Sequence, residues 1–305
     1  MTLLAFLLVA SLQAPATTPA AALSDPPTVC DSCDEWNQPQ APFKLHGNSY
    51  YVGVRGLSAV VIQTSAGLVL MDGGLPQSAP LIEASIESLG LRVKDIKLIV
   101  NSHAHYDHAG GIARLQRASG ATVVASARGA EALMSGMPTP DDPQYGPDGK
   151  DGAFPRVPKV RIVKDREELR LGDTTVTAHL TPGHTPGSTA WSWKSCEGAR
   201  CIDIVYADSL TAVASEGFRF LGDASHRDVS ETFKRSIDTV KSLPCDLMLS
   251  THPGASGLFE RLKRRTGGTS SPDPLIDSDG CRTYAANASR NLEARLKAER
   301  AASTK

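Results

Sequence analysis

Three of the chain's eight histidines, together with an aspartate, fall within residues 103 to 108 of the stretch NSHAHYDHAGG, directly after the apolar run Ile96-Lys97-Leu98-Ile99-Val100. His103 and His105 are two apart. In an extended segment both rings therefore lie on one side and can converge on a single ion. Asp107 and His108 are adjacent, so they point in different directions and suit a second centre nearby. Neutral imidazole and carboxylate are borderline ligands that suit zinc better than calcium or magnesium. The bland alternative is a solvated histidine-rich loop, or a helix start capped by Asp107. Four potential ligands in six residues at a strand end make that the poorer reading.

Two further histidines occupy similar settings. His184 lies in the turn TPGHTPGST after a strand expected over 174–180, and His252 lies in MLSTHPG after a strand expected over 246–250. Each alone would be an ordinary turn histidine; together they share a placement at strand ends. His46, His179 and His226 show no such pattern, and His179, within a strand, reads as structural.

The elements that must position these residues follow from periodicity and turn chemistry. From Phe43 to Asp72 short apolar segments alternate with Gly-bearing turns, the pattern of antiparallel strands in series. Helical spacing closed by Gly appears at 77–90, and a helix is expected at 108–118. Strands are expected at 95–100 and 121–125, with a short helix at 128–134. The segment 136–158, rich in Pro, Gly and Asp, is a long loop and a candidate substrate flap, with Gln144, Tyr145 and Phe154 as candidate contacts. Strands follow at 159–163, 168–171, 174–180, 188–194 and 202–207. Helices are expected at 226–242, from about 256, and at 279–300. Two β-rich halves in this order would bury their apolar faces against each other with helices outside. Trp191 and Trp193, alternating on one strand, read as packing between the sheets. The charge runs 164–168 and 261–265 read as solvated faces.

With 305 residues and a formal charge of −1, the chain is long enough for a sizeable core and lacks the basic excess of a nucleic-acid partner. Residues 1–22 carry an apolar run from Leu3 to Leu12 and two Ala-x-Ala sites. This is the pattern of a secretory signal peptide, although no Lys or Arg precedes the apolar run. Residues 23–40 would then be an N-terminal extension and 41–305 a single domain. Six cysteines fit export to an oxidising compartment. Cys196 and Cys201 flank the polar turn EGAR and would clip a hairpin. Cys245 and Cys281 would tie the late strand to the C-terminal helix, leaving Cys30 with Cys33; a C-x-x-C redox or zinc half-site is the alternative for that last pair.

The combination H-x-H-x-D-H, with D-G-G upstream and G-H-T-P-G-S and a late histidine downstream, resembles the metallo-β-lactamase superfamily over about residues 40–265. The stretches NQPQAPFKLHGNSYYVGVRGLSAVVI, AHLTPGHTPGSTAWSW, YADSLT and STHPGASG are similar to its third, di-zinc subclass, which uses no cysteine ligand. The resemblance implies an α+β, four-layer αββα sandwich of two mixed β-sheets packed face to face. It implies two zinc ions per chain, the first on His103, His105 and His184 and the second on Asp107, His108 and His252. A water shared by both ions would supply the nucleophile for a β-lactam amide, with Asp107 orienting it or serving as ligand alone. The thiolate of the other di-zinc subclass would fall at Ser209, and its carboxylate-binding lysine has no counterpart.

Ser209, Thr211 and Gln144 are then candidate substrate contacts. Asp72 in LMDGG either accepts from a ligating imidazole or stabilises the Gly73-Gly74 bend. The rival is a glyoxalase II-like thioesterase or homoserine lactonase, in which an aspartate bridges both metals; Asp208 would fill that role if it, rather than Ser209, faced the site. A fold-retaining metal-binding protein without activity is disfavoured by the complete ligand set. A small-molecule substrate, a monomer, no membrane contact after cleavage and a secreted or periplasmic location complete the expectation.

Overall fold

The computed structural model describes residues 25–146, 152–266 and 272–302. The expected signal segment over 1–22 lies outside them, as do residues 147–151 of the long loop. The described chain opens with one helical turn, α1 (Cys33–Trp36). Four short strands follow, β1 (Phe43–His46), β2 (Ser49–Tyr51), β3 (Val60–Thr64) and β4 (Gly67–Met71), each antiparallel to the one before. Next come α2 (Ala79–Ser88) and β5 (Ile96–Val100), then α3 (Tyr106–Ala109), α4 (Ile112–Ser119), β6 (Thr122–Ala125), α5 (Ala127–Ser135) and β7 (Val160–Ile162). From β4 to β7 the pairing is parallel, because helical crossovers return the chain to the same sheet edge.

The second sheet comprises β8 (Glu168–Leu171), β9 (Thr174–Leu180), β10 (Thr189–Glu197), β11 (Arg200–Ala207) and β12 (Leu247–Ser250), in the order β12-β11-β10-β9-β8. All its pairs are antiparallel except β11 with β12. Helix α6 (Ser230–Ser242) links these two strands, and α7 (Leu258–Thr266) and α8 (Gly280–Ala302) follow β12.

Alternation of side chains across each strand builds three apolar layers. Val69 and Met71 of β4 face the second sheet, against Trp191, Ile204 and Leu249, whereas Leu68 and Leu70 face α2 and α4. On β11, Ile204 and Tyr206 face the first sheet while Val205 and Ala207 face α6 and α8. The result is the expected αββα sandwich. Trp191 is fully buried between the sheets and donates its Nε1 hydrogen to the Asn101 carbonyl at 3.1 Å; Trp193 donates likewise to Ser49 Oγ at 2.9 Å.

Cys196 and Cys201 face each other across the β10–β11 hairpin and are joined, as are Cys245 with Cys281 and Cys30 with Cys33. Cys33 is buried in a small cluster with Val54, Leu57 and Leu75, so α1 packs onto the sandwich.

Several local expectations change. The helix expected at 108–118 is two helices broken at Gly110-Gly111, where a Cβ on Gly111 would sit 2.2 Å from the Gly73 carbonyl oxygen. That close approach requires glycine. The helix expected from 226 begins at Ser230, because the Asp228 carboxylate takes both the amide and the hydroxyl of Ser230 at 2.8 and 2.6 Å and ends the preceding loop there. Arg261 is not part of a solvated face. It is buried, and its guanidinium donates to the carbonyls of Leu275 and Met248 at 3.1 and 3.0 Å. Phe154 is buried in the layer beneath α5 rather than directed at a substrate.

Candidate metal centre

Strand polarity brings the candidate ligands to one rim. His103, His105, Asp107 and His108 follow the C-terminal end of β5, His184 that of β9, and His252 that of β12. Because β9 and β11 both run antiparallel to β10 and β12 runs parallel to β11, the ends of β9 and β12 share an edge, and the rings of His103 and His108 meet those of His184 and His252 there. Loops at the C-terminal ends of strands are free to carry such residues while the sheets hold them in place.

The loop after β5 is pinned from behind. Asp72, in the left-handed region at φ 58°, accepts from Asn101 Nδ2 at 3.0 Å, Ser102 N at 2.7 Å, Ser102 Oγ at 2.6 Å and Tyr206 OH at 2.9 Å. An aspartate in that conformation is uncommon, and the four bonds hold it there. Asp72 thus clamps the segment leading into His103, and its hydrogen bonds run to Asn101, Ser102 and Tyr206, not to an imidazole. Burial pushes its carboxyl up to about 6 against the opposing influence of His108, Ser102 and Tyr206.

Ligand-capable atoms converge in two groups, His103 with His105 and His184, and His103 with Asp107 and His108, each within 4.8 Å. His252 joins the second through its Nε2, 3.3 Å from Asp107 Oδ2, and its ring centroid lies 4.9 Å from that of His108. His108 Nε2 lies 3.1 Å from the same carboxylate oxygen. No cysteine belongs to either group among the described residues.

Four rings are held by one nitrogen. His103 Nδ1 lies 2.6 Å from Asp208 Oδ1, His105 Nε2 lies 3.1 and 3.2 Å from the Asp142 oxygens, His184 Nδ1 lies 3.0 Å from both the carbonyl and the hydroxyl oxygen of Thr211, and His252 Nδ1 lies 3.1 Å from the Gly56 carbonyl. Carboxylates and carbonyls only accept, so each held nitrogen carries the hydrogen and the opposite nitrogen keeps its lone pair. His103 Nε2 and His108 Nδ1 are buried without a hydrogen-bond partner, and His108 Nε2 meets only the Asp107 carboxylate. Orphaned imidazole nitrogens facing a carboxylate and further imidazoles fit a bound cation, because buried polar atoms are otherwise satisfied.

The electrostatics divide the donor set: against the opposing effect of burial, Asp142 raises His105 and Asp107 raises His108, whereas the other two buried rings of the groups shift down. Burial, with His103 and His105 close by, pushes His184 down to about 3, and burial with His108 and His105 takes His103 well below its usual range, so both stay neutral as ligands must. Burial alone would raise the Asp107 carboxyl, but His108 and His252 hold it well below the usual carboxylate range.

The other candidates are placed as follows. Asp208 stands behind His103, on the ring nitrogen away from the cluster. Ser209 is buried with its hydroxyl 2.8 Å from Thr251 Oγ1. Thr211 backs His184, and Gln144 Nε2 lies 3.4 Å from His184 Nε2. Tyr145 is half-buried in the same loop. His46 and His179 lie within the sheets, His179 Nε2 2.8 Å from Ser192 Oγ, and His226 pairs with Asp223.

Asp142 was not singled out from the sequence. It lies in PDDP, inside a loop whose path over the site depends on tertiary structure; the paired aspartates between prolines are the only local signal. Trp36, which packs on His252 with ring centroids 5.2 Å apart, was likewise missed.

The profile of the metallo-beta-lactamase superfamily matches residues 52–252. Among solved structures, Rm3 metallo-beta-lactamase is 46% identical, with a TM-score of 0.85 over 89% of this chain and 99% of that one. MEM-A1, a subclass B3 metallo-beta-lactamase isolated from a soil metagenome library, is 46% identical, with a TM-score of 0.83 over 87% and 99%. BJP-1, a subclass B3 metallo-beta-lactamase of Bradyrhizobium japonicum, is 35% identical, with a TM-score of 0.80 over 89% and 99%. A more distant relative, the hydroxyacylglutathione hydrolase of Methylococcus capsulatus, is 25% identical over 72% of this chain and 78% of its own length.

Proposed function

Because this chain belongs to the metallo-β-lactamase superfamily, and within it groups with the subclass B3 enzymes, we propose that it hydrolyses the amide bond of β-lactam antibiotics using two zinc ions. In this reading His103, His105 and His184 hold the first ion, and Asp107, His108 and His252 the second. The observation that carries it is the meeting of five imidazoles and one carboxylate at a single rim, with no thiolate among them. When bound, the zinc ions supply Lewis acidity and ionise water near neutral pH.

The chain's own residues do the rest. Asp208, Asp142, Thr211 and Gly56 fix the tautomers of four rings, so that lone pairs face the centre before metal arrives. Asp107, ionised and turned to the rim, is placed to orient the attacking water and to hold its proton. Gln144, Ser209 and Thr211 line the side of His184 and Thr251, where a substrate carboxylate would find hydroxyl and amide donors. Asp208 Oδ1 is taken up by His103 Nδ1 and the carboxylate belongs to neither ligand group, which favours the lactamase reading over a thioesterase with a bridging aspartate.

Export completes the proposal. Residues 1–22 act as a signal peptide and deliver a mature 41–305 domain, preceded by the 23–40 extension, to the periplasm or exterior. Its three disulfides suit that compartment. No helix among the described residues is long and apolar enough to cross a membrane.

The test is hydrolysis of a carbapenem reporter by the purified protein, abolished by chelator and restored by zinc. Rapid turnover of S-lactoylglutathione or of a homoserine lactone, with antibiotics left intact, would overturn it.

A further inference from the structure

Two consecutive aspartates on the long loop face opposite ways. Asp141 turns outward, where its carboxylate pairs with Arg128 and accepts from Thr139 Oγ1 at 2.7 Å. Asp142 turns inward and is buried, with both carboxylate oxygens within 3.2 Å of His105 Nε2. The backbone around Asp142 is tightly held. Its amide donates to the Thr139 carbonyl at 2.8 Å, its Oδ1 accepts from Gln144 N at 2.8 Å, and its carbonyl accepts from Tyr145 N at 3.0 Å. The neighbouring Pro143 carbonyl takes the Ser215 amide at 2.8 Å, which ties this loop to the one that follows β11.

Among the described residues the His105 ring has no hydrogen-bond partner besides Asp142, and its other nitrogen, Nδ1, belongs to the side facing His103 and His184. An imidazole on an extended segment can rotate about its side-chain bonds, and it becomes a fixed donor to metal only when its second nitrogen is anchored.

We propose that Asp142 is a positioning residue for the first metal group: it fixes the tautomer and ring plane of His105, so that the loop over the site and the metal group share one joint. This rests on the assignment of His105 as a zinc ligand in the proposed function. Loop conformation then sets metal affinity. A rearrangement that withdraws Asp142 frees the His105 ring, and binding of metal to His105 strengthens the hold on residues 139–145 in return.

The experiment uses the full chain and zinc itself. Asp142→Ala, Asp142→Asn and the neighbouring Asp141→Ala are titrated with zinc against a chromophoric chelator. The imidazole N–H proton resonance of His105 is followed in the zinc-loaded proteins, and thermal unfolding is followed in the metal-free ones. Asp142→Ala is expected to weaken one of two zinc sites roughly ten- to hundred-fold and to lose the resonance. Asp142→Asn keeps an acceptor oxygen without the charge and should fall between Asp142→Ala and the unsubstituted protein. Asp141→Ala should bind zinc as the unsubstituted protein does.

Unsubstituted affinity at both sites in Asp142→Ala overturns the inference, as does an equal loss in Asp141→Ala. If Asp142→Ala does not fold, Asp142→Asn decides, and unsubstituted affinity in it is also contrary. A protein that binds two zinc ions, weakens one site in Asp142→Ala and yet spares β-lactams supports this inference and refutes only the proposed substrate. Failure of the unsubstituted protein to take up metal refutes both.

Discussion

Asp208 Oδ1 lies 2.6 Å from His103 Nδ1, behind a ring whose Nε2 is buried without a partner. The Asp208 backbone carbonyl accepts from Tyr284 OH at 3.0 Å, so the carboxylate that aligns this imidazole is itself anchored on α8.

Removal of this support should be felt as metal loss. Asp208→Ala leaves the buried His103 Nδ1 with only Ser102 Oγ, at 3.5 Å, and zinc affinity is expected to fall roughly ten- to hundred-fold. Chelator competition measures it. Unchanged affinity would show that Asp208 contributes only packing.

Asp107 is shared between His108 and His252 through one oxygen. Asp107→Ala is expected to lower turnover of a β-lactam by at least about a hundred-fold and to release the second zinc ion. Metal analysis alongside steady-state kinetics checks both parts. Two zinc ions per chain at full rate would contradict the assignment.

Acid stability offers a probe remote from the centre. Glu299 on α8 accepts from Arg295 Nε at 2.7 Å and from the amides of Phe220 and Leu221 at 3.1 and 3.0 Å. Burial alone would raise its carboxyl, but Arg295 and the two amides outweigh it and hold the group below the usual carboxylate range. A depressed folded-state value stabilises the fold above the ordinary carboxylate pKa, about 4.3, and that stabilisation is lost as pH falls through the folded-state value. Glu299→Gln should therefore cost about 1–2 kcal/mol at pH 7 and progressively less below about pH 4. Denaturant titrations at the two pH values test this, and an equal gap at both would refute it.

The Cys245–Cys281 bond closes a 36-residue separation and holds α8 to the start of β12. The double change Cys245→Ser, Cys281→Ser should lower unfolding free energy by about 2–4 kcal/mol. Because no cysteine lies in either ligand group, zinc stoichiometry should not change. Loss of metal in the folded double variant would show that α8 also governs the rim.

The convergence of the candidate ligands was legible because residues at strand ends leave a local mark: His103 and His105 share parity, and apolar runs stop just before His184 and His252. What supports the ligands was less legible. Asp208 and Ser209 are adjacent, just past the end of β11, and only their contacts with His103 and Thr251, distant in sequence, tell which faces where. The role of Asp142 depends on a loop crossing to His105 from 37 residues away. Gly110-Gly111 read as part of a continuing helix because the obstacle, the Gly73 carbonyl, comes from another turn. The burial of Arg261 was hidden by its basic neighbours, since composition alone does not tell which member of a charge run faces inward.

The indole of Trp191 reaches from one sheet to the Asn101 carbonyl of the other, two residues before the first ligand. The sandwich therefore cannot loosen along that seam without dragging the start of the HAHYDH segment with it. One indole hydrogen bond thus couples the packing between the sheets to the segment that carries the candidate ligands.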